Sequence, residues 1–362
     1  MKILVSAGGT GGHLFPAISV IDEISEILRK SSLIQVFAVG NPQKIEARVA
    51  KEKGWHFLPI PMVGFTGFGL KFFKFFFKTI KSINLIRELI RKENIDFGIG
   101  TGAYITYPAG IALNSENKPF FLLESNLVPG RANRLLARRA SIFFATFENT
   151  KRYLPPKIDA KFKVFGTPIR KDLLKQIPKE EARKNLKLNP NKPTILVFGG
   201  SLGARTLNSI IYHNYQTLLD NDCQLIWQIG SNFSVENIEN PSVKIFEFIE
   251  DMATAYAAAD IVVSRAGAST IAEISALGKP AILVPYPFAI ANHQEQNARE
   301  LESSSAAIVV HDSEATMKLI PTIINLIHST EMQKMLSTNI TKFGNPEAGK
   351  LIANEILKFL NI

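Results

Sequence analysis

Two glycine-rich turns carry the first chemical signal in the chain: GGTGGH at residues 8–13 and GGSLGAR at residues 199–205. Each follows a short apolar run, Ile3-Leu4-Val5 or Ile195-Leu196-Val197, that reads as a β-strand, and each leads into a segment of helical period. A strand that ends in such a turn and continues as a helix offers unpaired backbone amides and the positive helix end to an anion. That is the physics of a phosphate site. Neither turn is a dinucleotide fingerprint: counted from Gly9 and Gly11, the third glycine would fall where the chain has Leu14. Neither ends in the Lys-Ser/Thr of a P-loop. A tight strand-to-helix turn without a ligand uses the same glycines, but recurrence at equivalent places in two halves weighs against that reading.

His13 closes the first turn, where an imidazole is suited to take a proton as a general base; a histidine that merely caps or packs is the competing reading. Ser201 in the second turn is placed to donate its hydroxyl to a phosphate oxygen, or simply to cap the helix.

The elements that must position these residues follow the pattern of a doubly wound parallel sheet, with short apolar runs alternating with helical segments. Strands are expected near 2–7, 33–39, 97–100, 120–124 and 142–145, and again near 194–198, 224–228, 243–246, 261–264 and 281–284. Residues 175–193, rich in Lys, Asn and Pro, place a linker within 165–193. The fold class is therefore α/β, with two Rossmann-like doubly wound domains at 1–167 and 168–345. A last helix within 346–362 either closes a domain or returns to the first half.

The 362 residues, 46% of them hydrophobic, suffice to bury two cores. One cysteine, Cys223, excludes a disulfide framework and multi-cysteine metal sites. The N-terminal apolar run is too short for a signal peptide, so a cytoplasmic protein is expected. No stretch reaches the roughly 20 apolar residues of a membrane-spanning helix. A net charge of +10 calls for a polyanionic partner: nucleic acid, diphosphates or an anionic membrane surface. Residues 65–81, FTGFGLKFFKFFFKTIK, either set phenylalanines into a bilayer while Lys71, Lys74, Lys78 and Lys81 face head groups, or form a core helix with snorkelling lysines. Each lysine near such a surface contributes about 1 kcal/mol. Nucleic acid fits less well, because the basic residues lack the polar and glycine-rich surroundings of the common modules, and it is not expected as a partner.

GGTGGHLFPA at 8–17, GGSLGAR at 199–205 and SRAGASTIAEISALGKPAILVPYP at 264–287 occur in one order that resembles the MurG family of bacterial peptidoglycan enzymes. The likeness runs from Lys2 to the C-terminal helix. It implies a GT-B architecture, two Rossmann-like domains facing across a cleft, with the nucleotide held mainly by the second and the last helix crossing back to the first. It implies inverting, metal-independent transfer of N-acetylglucosamine from UDP-GlcNAc to the C4 hydroxyl of the N-acetylmuramoyl unit of lipid I, giving lipid II. No cofactor is expected. The implied setting is peripheral, on anionic lipids at the cytoplasmic face of the inner membrane, among cell-wall and division proteins.

The resemblance also assigns residues. Glu273 would take both ribose hydroxyls with its carboxylate, beside Ala268, Ser269 and Thr270 at a helix entry opened by Gly267; a solvated helix glutamate would do neither. Arg170, in FGTPIRKDLL with Thr167 where the family has asparagine, would clamp the diphosphate. The backbone of Ile249 would read uracil, and Gln294 the sugar hydroxyls. Thr10, Gly11, Gly12 and Asn126 would hold the acceptor. There the chain departs from the family: H-E-Q-N becomes Leu123-Glu124-Ser125-Asn126, G-G-Y-V-S becomes Gly102-Ala103-Tyr104-Ile105-Thr106, and Leu202 replaces a frequent glutamine. His13, or Glu124 acting through water, would take the acceptor proton as the oxygen attacks the donor sugar. Amides, helix ends, Arg170 and Ser201 would stabilise the departing diphosphate. Another GT-B enzyme using a UDP-sugar on a lipid acceptor is the nearest alternative; an epimerase of similar fold or an inactive nucleotide-binding scaffold is more remote.

Overall fold

Ile3-Leu4-Val5 and Ile195-Leu196-Val197 are buried from end to end. An unbroken apolar run needs cover on both faces, and each occupies the middle of a parallel sheet with helices packed around it. The computed structural model describes residues 1–8, 11–28, 34–62, 70–200, 202–236 and 238–362. The chain divides into two units, Met1–Arg170 with Glu347–Ile362, and Lys171–Pro346.

In the first unit β1 (Lys2–Ser6), β2 (Gln35–Gly40), β3 (His56–Pro59), β4 (Phe97–Gly100), β5 (Phe120–Glu124), β6 (Ile142–Ala145) and β7 (Phe162–Val164) form one parallel sheet in the order β3-β2-β1-β4-β5-β6-β7. Its helices are α1 (Gly11–Ile27), α2 (Ile45–Glu52), α3 (Leu70–Glu93), α4 (Ala103–Ser115) and α5 (Arg131–Leu136). The second unit has β8 (Thr194–Phe198), β9 (Gln224–Gln228), β10 (Val243–Phe246), β11 (Ile261–Ser264), β12 (Ala281–Leu283) and β13 (Ile308–Val309), in the order β10-β9-β8-β11-β12-β13. Around it lie α6 (Lys179–Asn185), α7 (Arg205–Asp220), α8 (Met252–Ala258), α9 (Ala268–Ala276), α10 (His293–Ser303), α11 (Ala315–His328) and α12 (Thr330–Ile340). A final helix, α13 (Ala348–Phe359), belongs to the first unit. Its Ile352, Ala353, Ile356 and Leu357 share one core with Val20, Ile21 and Ile24 of α1.

The two sheets repeat one topology. In both, the order reverses beside the first strand, so the turns after β1 and β8 lie at switch points, where open parallel sheets bind ligands. Ten expected strands are present; β3, β7 and β13, of four, three and two residues, were not expected. Residue 33 lies outside the described residues.

The expected boundary moves by three residues. Pro168 to Arg170 stay with the first unit because Ser19 Oγ donates to the Ile169 carbonyl at 3.1 Å and the Arg170 guanidinium sits 5.7 Å from the Phe15 ring on α1. Nor is 171–193 a loose linker. Arg183 donates from Nε to the Ala258 carbonyl at 3.0 Å, and Asp260 accepts from Arg183, Lys179 and the Thr194 amide at 2.5, 2.6 and 2.7 Å, so α6 is fastened to the second unit.

Candidate functional site

The first edge is built around His13. The helix α1 begins at Gly11, so Gly11, Gly12 and His13 form its first turn; Gly9 and Thr10 lie outside the described residues. His13 Nδ1 is 2.9 Å from the Thr101 carbonyl at the end of β4. A carbonyl only accepts, so the ring proton belongs on Nδ1 and the lone pair of the neutral imidazole on Nε2. That is the atom which can take a proton. Gly102 makes the turn possible through its φ of 92°, a backbone conformation that L side chains rarely adopt. Ala103, which replaces a family glycine, is left-handed as well, at φ 60°.

Glu124, at the end of β5, is only 4% exposed. Its Oε1 accepts from the Asn126 amide at 3.0 Å and from Asn126 Nδ2 at 3.2 Å, and its Oε2 from the Gly130 amide and Asn133 Nδ2, both at 2.9 Å. Four donors match the roughly four lone-pair sites of a carboxylate. Glu124 therefore shapes the 125–130 loop and orients Asn126. Sequence reasoning passed over Asn133, which sits on α5 with no exposed surface and also donates to the Leu123 carbonyl at 3.1 Å. Asn133 Oδ1 and Thr101 Oγ1 are buried without a hydrogen-bond partner among the described residues. Glu46 was also missed: it is buried, and its Oε1 accepts from the Asn41 amide at 3.0 Å and lies under Gly8 at the start of the turn. Burial, and after it the Glu46 charge, push the Tyr104 phenol above its ordinary value.

The second edge gathers residues after β8, β10 and β11. Ser201 lies outside the described residues. Gly203 has φ 81°, and a side-chain carbon there would meet the Ile229 carbonyl at 2.1 Å, so only glycine fits that turn. Ile249 is buried, and its amide already donates to Gln228 Oε1 at 2.9 Å, while Gln228 Nε2 donates to the Gly200 carbonyl at 3.1 Å. The Ile249 amide, expected to read uracil, is thus already engaged by a side chain of the same unit. Ala268, Ser269 and Thr270 form the first turn of α9, whose entry at Gly267 has no side-chain cap. Glu273, half-buried on the same helix, accepts from the Tyr256 hydroxyl at 2.9 Å. Tyr256 on α8 is buried and was not foreseen. Gln294, in the first turn of α10, accepts at Oε1 from the Tyr286 amide at 3.0 Å.

Arg170, expected at the diphosphate, belongs to the first unit and stacks over Phe15, two residues beyond His13. The aromatic segment is helical from Leu70. Thr79, Ser82, Ile86 and Ile90 are buried, whereas Phe73, Phe76, Phe77 and Ile80 are exposed, Phe77 at 67%. Those four recur at i, i+3, i+4 and i+7, one apolar helix face toward solvent. The core reading therefore does not hold for them. Arg87 and Arg91 each reach Glu116 at 2.8 Å, anchoring the far end of the helix to α4; hydrogen bonds first from Arg91 and then from Arg87 hold the Glu116 carboxyl at about 2. Residues 65–69, and the side chains of Lys71, Phe72 and Lys74, lie outside the described set.

Comparison with known proteins agrees on both units. Residues 3–144 match the glycosyltransferase family 28 N-terminal domain, and residues 194–352 the family 28 C-terminal domain. A UDP-N-acetylglucosamine--N-acetylmuramyl-(pentapeptide) pyrophosphoryl-undecaprenol N-acetylglucosamine transferase of Christiangramia forsetii is 35% identical over 366 residues, covering 100% of this chain and 98% of that protein. The protein of the same description from Thermodesulfovibrio yellowstonii is 37% identical over 366 residues, covering 97% of each. The crystal structure of Acinetobacter baumannii MurG has a TM-score of 0.78 at 26% identity and covers 99% of both chains.

Proposed function

From the premise that this chain belongs to glycosyltransferase family 28, and within it to the MurG transferases, we infer that it transfers N-acetylglucosamine from UDP-GlcNAc to the C4 hydroxyl of the N-acetylmuramoyl unit of lipid I, releasing UDP and lipid II. The fold is GT-B, two parallel-sheet α/β domains. What carries the reading to a mechanism is the His13 geometry: Nδ1 is committed to the Thr101 carbonyl, which aims the basic character at Nε2.

In this mechanism the first unit holds the acceptor with Thr10, Gly11, Gly12 and Asn126. His13 Nε2 takes the proton of the C4 hydroxyl as its oxygen bonds to C1 of the donor sugar. The bond from C1 to the diphosphate oxygen breaks, and UDP leaves with the electron pair. The amides of the second glycine turn and of α9, with Ser201, offset the charge that develops on the diphosphate. Glu273, held by Tyr256, takes the ribose, and Gln294 reads the sugar hydroxyls. Glu124 is a positioning residue, since its lone-pair sites are engaged by four donors.

Among the described residues no helix is long and apolar enough to cross a membrane. The chain works peripherally at the cytoplasmic face of the inner membrane, with Phe73, Phe76, Phe77 and Ile80 in the acyl boundary and Lys78 and Lys81 near the head groups. Such docking brings the enzyme to a lipid-linked acceptor.

The test offers the purified chain radiolabelled UDP-GlcNAc with a lipid I analogue or with diacylglycerol. Label in the lipid I analogue alone is the expected result. Label in diacylglycerol would turn the assignment to a glycolipid synthase, and label in neither would overturn the transferase reading.

A further inference from the structure

Exposed large apolar side chains are not scattered over the second unit. Leu202, Phe248, Tyr286, Phe288, Met317 and Met335 are its members among the described residues, and the first four lie on loops that follow β8, β10 and β12. They rim the carboxyl-terminal edge of the sheet, where an open parallel sheet takes its ligand. Phe288 is the extreme, 81% exposed. Leaving a phenyl ring in water forgoes one of the larger gains that folding offers.

Its setting is nevertheless fixed. The Phe288 ring meets Tyr286 edge-on, with centroids 5.7 Å apart and planes at 71°. Tyr286 lies 5.6 Å from the guanidinium of Arg265, which is buried and held by Asp312 Oδ1 at 2.5 Å and by the carbonyls of Val284 and Pro285 at 3.1 and 3.2 Å. The Tyr286 amide donates to Gln294 Oε1. Between Phe288 and Gln294 the chain passes through Ala291 and Asn292, both left-handed at φ 53° and 54°. Asparagine enters that conformation readily, but an alanine does so only against a steric cost that its surroundings must offset. A braced loop thus carries the Phe288 ring on Tyr286, whose own backbone amide engages the Gln294 side-chain oxygen.

We propose that Phe288, backed by Tyr286, is a specificity-determining residue for the donor sugar. Its ring covers the apolar C–H face of the N-acetylhexosamine while Gln294 Nε2 donates to hydroxyls at the sugar rim. A pyranose carries hydroxyls around its edge and C–H groups on its faces, so a ring next to an amide complements both. The proposal rests on the donor-site reading of the second unit and adds to it a residue that touches the sugar alone, not the nucleotide.

The test is calorimetric titration of the full chain and of its Phe288→Leu and Phe288→Tyr variants with UDP-GlcNAc and, separately, with UDP. Because Phe288 is exposed, neither substitution disturbs the core. Phe288→Leu should weaken UDP-GlcNAc roughly three- to tenfold while leaving UDP unchanged, and Phe288→Tyr, which keeps the ring face, should retain the affinity. Equal losses for both ligands, or no loss for UDP-GlcNAc, would overturn the proposal. If the unsubstituted chain bound UDP while Phe288→Leu changed nothing, the proposal alone would fail; if it bound no UDP, the donor-site reading beneath it would fail first.

Discussion

The two sheets share a topology and a glycine turn after the first strand, yet their ligand edges are built from different materials. On the first unit the edge is a polar lattice: His13 on the Thr101 carbonyl, and Glu124 gathering donors from Asn126, Gly130 and Asn133. On the second unit helix entries and backbone amides are bordered by Leu202, Phe248, Tyr286 and Phe288, while Glu273 accepts from the Tyr256 hydroxyl and Gln294 from the Tyr286 amide. A proton-transferring edge needs one imidazole oriented to within tenths of an ångström, which a dense hydrogen-bond lattice supplies. A nucleotide-sugar edge needs amides for phosphate and flat apolar surface for rings. One strand topology occurs twice, and the loops after the strands differ between its two copies.

Four substitutions probe that division of labour. The largest effect belongs to His13→Ala, which should lower kcat by about 10²–10⁴ and leave UDP-GlcNAc affinity, read by titration calorimetry, nearly intact. Turnover that survives the substitution would remove His13 from proton transfer, and a parallel loss of donor binding would blur the two edges. Glu273→Ala is the mirror case. Donor affinity should fall roughly 10- to 100-fold for the loss of charge-assisted hydrogen bonds, with kcat at saturating donor much less affected.

Glu124→Gln separates positioning from catalysis. An amide nitrogen would face donors where an oxygen accepted from them, so stability should drop by about 1–3 kcal/mol in denaturant unfolding. Acceptor KM should rise while the pH profile of kcat/KM keeps its shape; a displaced profile would restore Glu124 as a proton acceptor. The smallest effect belongs to Ala103→Gly. A left-handed alanine is disfavoured by about 1–2 kcal/mol, part of which glycine returns as chain entropy, so a net gain of about 0.5–1 kcal/mol in stability is expected. A loss would mean that the Ala103 methyl contributes packing that outweighs its backbone strain.

Much of this was legible in the sequence where signals are local. Runs such as Ile195-Leu196-Val197 and Phe120–Glu124 announced themselves as strands, and GGTGGH and SRAGASTIAEI marked the entries to two helices. Two-residue β13 and three-residue β7 were invisible, because so few residues cannot show a period. The state of Glu124 was not legible either: its donors come from positions two, six and nine residues on, and only the folded 125–130 loop and α5 bring them onto one carboxylate. The engagement of the Ile249 amide depends on Gln228, 21 residues away on a neighbouring strand. The aromatic segment was read as a membrane patch or as a core helix, and only packing could show that Phe73, Phe76 and Phe77 stay outside the core while Ile86 and Ile90, further along the helix, turn inward. Arg170 matched a donor motif in sequence but is tied to α1 by Phe15.

Direct displacement by an alcohol deprotonated at His13 Nε2 makes one stereochemical demand. The configuration of the new glycosidic bond, read from the anomeric proton of the purified product by NMR, tests it without reference to any variant. An inverted, β-linked N-acetylglucosamine is what a single displacement on the α-linked donor must give; a retained α linkage would contradict the account.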